Sequence, residues 1–193
     1  MDHKPAKTET SQQILDVAQY LVQTRGYNAF SYADIAAALN ITKASLHYHF
    51  PSKADLGHSL ITRYEEGFRR MLAAIEERDH AAPEKIRDYV GIYAGVLADH
   101  RMCLCGMLAA EFETLPKPMQ SALDHFFALN ELWLEGVLEQ GKRKGTLHYH
   151  DSARDLAQFL VASLEGAMML ARSHGAEQRF HAVAKRLLAD LGI

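Results

Sequence analysis

The stretch SYADIAAALNITKASLHYHF, residues 31–50, constrains the fold most tightly, because it asks for two helices and a sharp turn in little space. Ser31 followed three residues later by Asp34 reads as a capping box, in which side chains and backbone satisfy each other at a helix start. The Ala-rich run from Ile35 to Leu39 favours a short, tightly packable helix. Asn40 tolerates the left-handed conformation that ends it. Thr42 then caps a further helix, which Pro51 stops. Upstream, Ile14, Val17, Ala18 and Leu21 recur at i, i+3, i+4 and i+7, one face of a helix; Thr8 or Thr10 is its expected cap, and Gly26 its left-handed end. Ser52 with Asp55 caps a fourth helix, expected from Lys53 to about Asp79. Three short helices with a tight turn between the second and third form a helix-turn-helix.

Composition narrows the class. The 193 residues are 48% hydrophobic and 23% charged, ordinary for a globular chain. No apolar run approaches the length of a membrane span, and the start MDHKPAKTETSQQ lacks the apolar centre of a signal peptide, so the expected location is cytoplasmic. Two cysteines separated by one residue, Cys103 and Cys105, fit a reducing compartment. The net charge is −3, and residues 1–60 hold five Lys/Arg against five Asp/Glu. No broad positive field announces a nucleic-acid partner, so any such reading must come from a local surface.

Residues 14–56, ILDVAQYLVQTRGYNAFSYADIAAALNITKASLHYHFPSKADL, resemble the DNA-binding domain of the TetR family of bacterial transcriptional repressors. Ile14, Leu15 and Ala18, then Gly26 and Tyr27, Ile35 and Ala36, Tyr48, His49, Phe50 and Lys53 carry the resemblance. One position departs from it: His47 stands where the family usually has an aromatic residue. The resemblance implies an all-α protein of about nine helices. Its DNA-binding domain spans residues 9–68, with the helix-turn-helix at about 31–50, and residues 69–193 form an effector-binding and dimerisation domain. It also implies a homodimer on a palindromic operator in double-stranded DNA, released by a small molecule.

A recognition helix presents small or polar side chains to base edges and holds phosphates at its flanks. Thr42, Lys43, Ala44 and Ser45 fit the first task at a helix N-terminus. Tyr48, His49 and Lys53 fit the second, and Ser31, Tyr32 and His47 are the neighbouring candidates. Leu46 and Phe50 face inward. LHYH recurs at residues 147–150 between helices, with Asp151 or Ser152 as the next cap. Histidines two apart share a side only in an extended segment, so His148 and His150 could chelate together and His47 and His49 could not. Two histidines without a third ligand read as loop residues, and no metal or other cofactor is expected.

Helical periodicity continues to the end of the chain. Pro83 opens a helix with Ile86, Tyr89, Val90, Tyr93 and Leu97; CLCGMLAAEFETL is a shorter one, ended by Pro116 and Pro118; a longer one runs from Met119 to Gly141. Residues 153–172 are apolar around most of the helix. The last helix repeats Phe180, Val183, Ala184, Leu187, Leu188 and Leu191. The expected effector pocket draws on Tyr64, Phe68, Tyr89, Tyr93, Cys103, Met107, Phe112, Phe126, Phe127, Trp133 and Met168, a lining for a largely apolar ligand. The last two long helices resemble a dimer interface of the family, which assigns Phe159, Ser163, Ala167, Phe180, Val183 and Leu187 to it. CLCGMLAAEF resembles a helix of a TetR subgroup in which such a cysteine senses electrophiles. Cys103 is the matching position, with His100 and Arg101 near enough in sequence to favour its thiolate; a buried structural cysteine is the other reading. No GxSxG, phosphate-binding Gly loop or HExxH is present, so no enzyme is expected.

Overall fold

The computed structural model describes residues 7–193, with side chains from Glu9 onward. These residues form α1 (Lys7–Arg25), α2 (Tyr32–Leu39), α3 (Lys43–His49), α4 (Lys53–Glu76), α5 (Ala82–Ala98), α6 (Leu104–Ala109), a 3-10 turn (Phe112–Thr114), α7 (Lys117–Arg143), α8 (Ala153–Ser173) and α9 (Gln178–Asp190). No strand occurs among them. Contacts gather the chain into two units. The first holds residues up to Glu65 together with Leu104–Asp124; the second holds Glu66–Cys103 and His125–Ile193. The first unit is thus larger than the 9–68 segment anticipated from sequence, because it takes in α6, the 3-10 turn and the start of α7.

In the first unit, the local signals work as their chemistry requires. Ser31 Oγ accepts from the Ala33 amide while Asp34 accepts from the Ser31 amide at 2.7 Å, completing the capping box. Asn40 adopts φ +52° and ends α2. The Thr42 side chain accepts from the Ser45 amide at 3.1 Å and starts α3. Ser52 and Asp55 exchange the same kind of bonds at the head of α4. Ile14, Ala18, Val22, Ile35, Leu46 and Leu56 have no exposed surface, and burying each large apolar side chain contributes roughly 1.5–3 kcal/mol. Arg63 on α4 donates to Asp16 at 2.6 Å and to Gln19 at 2.7 Å, tying α4 to α1.

Four boundaries differ from the sequence reading. α1 already runs from Lys7, so Thr10 is a buried residue inside the helix and not its cap; the side chain of Thr8 lies outside the described residues. α4 stops at Glu76, and Asp79 takes φ +50° in the turn beyond it. The CLCGMLAAEF segment breaks at Ala109 into a helix and a 3-10 turn. Pro118 does not end that segment but sits in the first turn of α7, where the missing N–H has no helical acceptor to lose.

The second unit centres on Phe68, Tyr89, Phe126, Leu134, Leu164, Met168 and Phe180, all buried. α8 turns Ala157, Leu160, Val161, Leu164, Ala167, Met168 and Ala171 inward. At Gly141 a β-carbon would lie 2.8 Å from Ala82 Cβ and closer still to Leu147, so only hydrogen fits where α7, α5 and the loop after α7 meet. Lys85, buried on α5, forms an ion pair with Glu76 at the end of α4.

Candidate nucleic-acid interface and buried polar cluster

The Asn40 turn leaves the outer face of α3 in solvent. Thr42, Lys43, Ala44 and His47 are exposed, Ser45 and His49 are half-buried, and Tyr48 is 68% exposed. Leu46 and Phe50 anchor the opposite face in the core. A shallow groove of about 390 Å³ runs beside this face, lined by Ser31, Ala33, Lys43 and His47 among others. A short helix pinned at both ends and exposed along one side is suited to entering a DNA groove.

Three of the residues expected at the DNA have other partners. Tyr32 is 9% exposed, and its hydroxyl donates to Phe50 O at 2.8 Å, so it braces α2 against the end of α3. Lys53 Nζ donates to Tyr27 O at 2.6 Å and also to Phe30 O, with the ammonium over both aromatic rings. Its charge is turned inward to close the loop between α1 and α2, and burial lowers its pKa. His47 packs its ring on Tyr32 at 4.8 Å and sets Nδ1 3.0 Å from Pro51 O, so this unusual position is also a local brace.

The loop after α1 has a second support that the sequence did not announce. Glu111 accepts from the Tyr27 amide at 2.9 Å and from the Asn28 amide at 3.2 Å, while Asn28 Nδ2 donates to Thr114 Oγ1 at 2.8 Å. Gly26, at φ +98°, leaves room for the Glu111 carboxylate: a β-carbon there would stand 2.8 Å from its Oε1.

The residues expected to line a pocket fall into both units. Tyr64 and Met107 are half-buried in the first unit. Phe112, in the same unit, is exposed and not a lining residue, because the chain breaks into a 3-10 turn there. Phe68, Tyr89, Tyr93, Cys103, Phe126 and Met168 are buried in the second unit, with Phe127 and Trp133 half-buried. Phe68 meets Tyr89, Tyr93 and Phe126 edge to face, and Trp133 stacks on Tyr89 with centroids 5.5 Å apart. A polar thread runs through these rings. Tyr89 Oη donates to Asn130 Oδ1 at 3.1 Å, Asn130 Nδ2 donates to Phe126 O at 2.9 Å, and the hydroxyls of Tyr89 and Tyr93 are 3.2 Å apart.

Glu165 belongs to this cluster and was absent from the sequence reading. Both its carboxylate oxygens, and the Trp133 indole nitrogen, are sealed from solvent without a hydrogen-bond partner. Burial pushes the Glu165 pKa up to about 7, and hydrogen bonding from the Cys103 thiol pulls it part of the way back. Burial likewise raises Tyr89 and Tyr93 well above the ordinary phenol value. The sequence did contain a signal: Glu165 is the lone charge in FLVASLEGAMML, and Asn130 likewise interrupts an apolar face.

α8 carries a second stripe facing outward. Phe159 is 54% exposed and Leu170 56%, with Ser163 and Gly166 between them on the same helical face and Val183 exposed on α9. Ala167, Phe180 and Leu187, expected at an interface, are instead buried inside the unit, on the flanks of their helices that turn toward its core. The second LHYH is non-helical, and Ser152, not Asp151, caps α8. His148 and His150 are exposed beside a pocket of about 590 Å³, and among the described residues no group of three or more His, Cys, Asp or Glu has the geometry to hold a metal ion. No described helix is long and apolar enough to cross a membrane.

Residues 14–60 match the family model described as "Bacterial regulatory proteins, tetR family", and residues 82–187 match that of the "Tetracyclin repressor-like, C-terminal domain". A transcriptional regulator from Agrobacterium tumefaciens is 35% identical, with 96% of this chain and 99% of that one superposing at a TM-score of 0.93. A regulator from Legionella pneumophila is 36% identical over 99% of this chain and all of its own, with a TM-score of 0.86. The HTH-type transcriptional repressor DhaR of Mycobacterium sp. (strain GP1) is 27% identical over 85% of this chain and 83% of its own length.

Proposed function

Since the chain belongs to the TetR family of bacterial regulatory proteins, we propose that it represses transcription by placing α3 in the major groove of a palindromic operator and leaves the operator when a small, largely apolar molecule binds. The observation that supports the DNA contact is the exposed row Thr42, Lys43, Ala44 and Tyr48 on a helix whose other face is locked into the core. In this reading Lys43, Ala44 and Ser45 meet base edges, and Tyr48 and His49 meet phosphates. Ser31 and Thr42 hold the two helix starts, while Tyr32, His47 and Lys53 shape the domain from within.

A palindrome needs two copies of α3 at a fixed separation. The outward stripe of Phe159, Ser163, Gly166 and Leu170 on α8, with Val183 on α9, is the surface assigned to the second copy. A β-carbon added at Gly166 meets nothing within 4 Å, so that face is open to close approach by a partner helix. The protein would then act in the cytoplasm as a homodimer. Effector release works through α4, which starts directly after the recognition helix and carries Phe68 and Leu72 into the core of the second unit. A ligand that prefers a displaced α4 by about 1.4 kcal/mol weakens operator binding tenfold.

The test is to select genomic DNA fragments bound by the purified protein and measure affinity against salt concentration. Lys43→Ala is expected to weaken binding and relax base preference at the position it meets, and Tyr48→Ala to weaken binding across sequences. Wild-type affinity in both variants would overturn the assignment of α3.

A further inference from the structure

The polar cluster of the second unit is unbalanced in one direction. The Tyr89 proton is engaged by Asn130 Oδ1, so the short contact between the two phenols has Tyr93 as donor. Both phenolic protons are therefore used within the cluster, and neither is available to Glu165. Its two buried oxygens meet no N–H or O–H partner, a weak thiol donor at Cys103 is the one protein group that favours their charge, and no ion pair seen among the described residues includes them. A buried carboxylate in that condition is costly unless something supplies charge and N–H groups. Aromatic rings pack in the same cluster: Trp133 stacks on Tyr89, and Phe68 meets both tyrosines edge to face. Aromatic faces attract cations, and the unmet acceptors ask for several donors on one small group.

We propose that this cluster recognises a protonated aliphatic amine, its ammonium group paired with the Glu165 carboxylate and its hydrocarbon body against Tyr89 and Trp133. The proposal rests on the ligand-responsive reading above and names the chemical class of that ligand. The buried Trp133 indole N–H, which has no acceptor, gives the same site a place for an oxygen on the amine's hydrocarbon body. The titratable groups that bear on Glu165 are Tyr89 and Tyr93 on α5 and Cys103 just beyond it, with Glu131 on α7 acting on Tyr89. None of these supplies a positive charge, so the amine must bring it.

Trp133 is the chain's single tryptophan, so its fluorescence reports from inside the cluster. The full-length protein, without DNA, is titrated at pH 8 with cyclohexylamine and with cyclohexanol, by fluorescence and by calorimetry. Cyclohexylammonium is expected to bind saturably and at least tenfold tighter than the alcohol. Glu165→Gln, which keeps the shape of the side chain and removes its charge, is expected to erase that preference and leave alcohol binding in place. In the wild type, amine affinity should fall about tenfold between pH 8 and pH 6, as a carboxyl with a pKa of about 7 takes up its proton. The proposal is overturned by equal affinities for amine and alcohol, by unchanged amine affinity in Glu165→Gln, or by no response to the amine at millimolar concentration. Operator binding, measured separately without amine, tests the regulatory reading on its own.

Discussion

Replacing Lys53 by Ala distinguishes a structural ammonium from a phosphate contact. In the structure Nζ donates to two main-chain carbonyls, Tyr27 O and Phe30 O, and lies over both of those rings at 4.5 and 4.3 Å. Hydrogen bonds to a charged group contribute roughly 1.5–3 kcal/mol each. Lys53 is partly exposed, so solvent screens much of this, and the two bonds together are set at about 2 kcal/mol. For a chain of this size that corresponds to a fall in Tm of about 4–8 °C. Lys53→Met keeps the apolar stem but not the donors and should lose most of the same stability. The assay is thermal unfolding by circular dichroism, run beside operator affinity measured between low and moderate salt. The expected result is a lower Tm with an unchanged salt slope at temperatures where the variant is folded. An unchanged Tm with a slope smaller by about one would show that the ammonium reaches a phosphate, and the inward reading of Lys53 would be wrong.

Other outcomes follow from particular contacts. Glu165 has a carboxyl pKa of about 7 folded against 4.5 as its ordinary value, so the folded state binds the extra proton. The contribution of Glu165 to stability is therefore fully present below pH 4.5 and is lost as pH rises to about 7, by on the order of 3 kcal/mol. Glu165→Gln should accordingly be more stable than wild type at pH 8 and nearly equal to it at pH 5, as read by urea denaturation; a margin that does not grow with pH contradicts the burial argument. Leu170→Glu is expected to convert a dimer to folded monomers in sedimentation, whereas Ala167→Glu, placing a charge in the core, should lose the fold itself. Gly141→Ala should destabilise by about 1–3 kcal/mol through overpacking against Leu147 and Ala82; a neutral effect in chemical denaturation would show that the loop gives way freely.

The elements with local chemistry were the legible ones. Ser31 with Asp34, Asn40, Thr42 and Ser52 with Asp55 specify their helix ends through bonds spanning two to four residues, and all four occur in the structure. Burial and partner choice depend on distant residues and were less legible. Lys53 looks like a surface cation until Phe30 and Tyr27 are brought beneath it. Ala167 and Ser163 sit four apart on one helix, yet one is 4% exposed and buried while the other faces partly outward, because α8 is apolar on two sides and the sequence alone does not say which side meets its own chain. The repeated LHYH carries the same lesson in reverse: one copy lies in α3, the other in a non-helical connection, and the capping signals around them decide.

Glu111 reaches back 84 residues along the chain to the Tyr27 amide, and this bears on how such regulators can be recombined. A chimera that grafts residues 1–65 onto a foreign sensor would separate the α1–α2 loop from the carboxylate and the threonine that hold it. The portable module is discontinuous: it consists of the reading helices together with 104–124. Exchanging both pieces should transfer operator choice intact, whereas exchanging the first alone should yield a reader with a loosened loop.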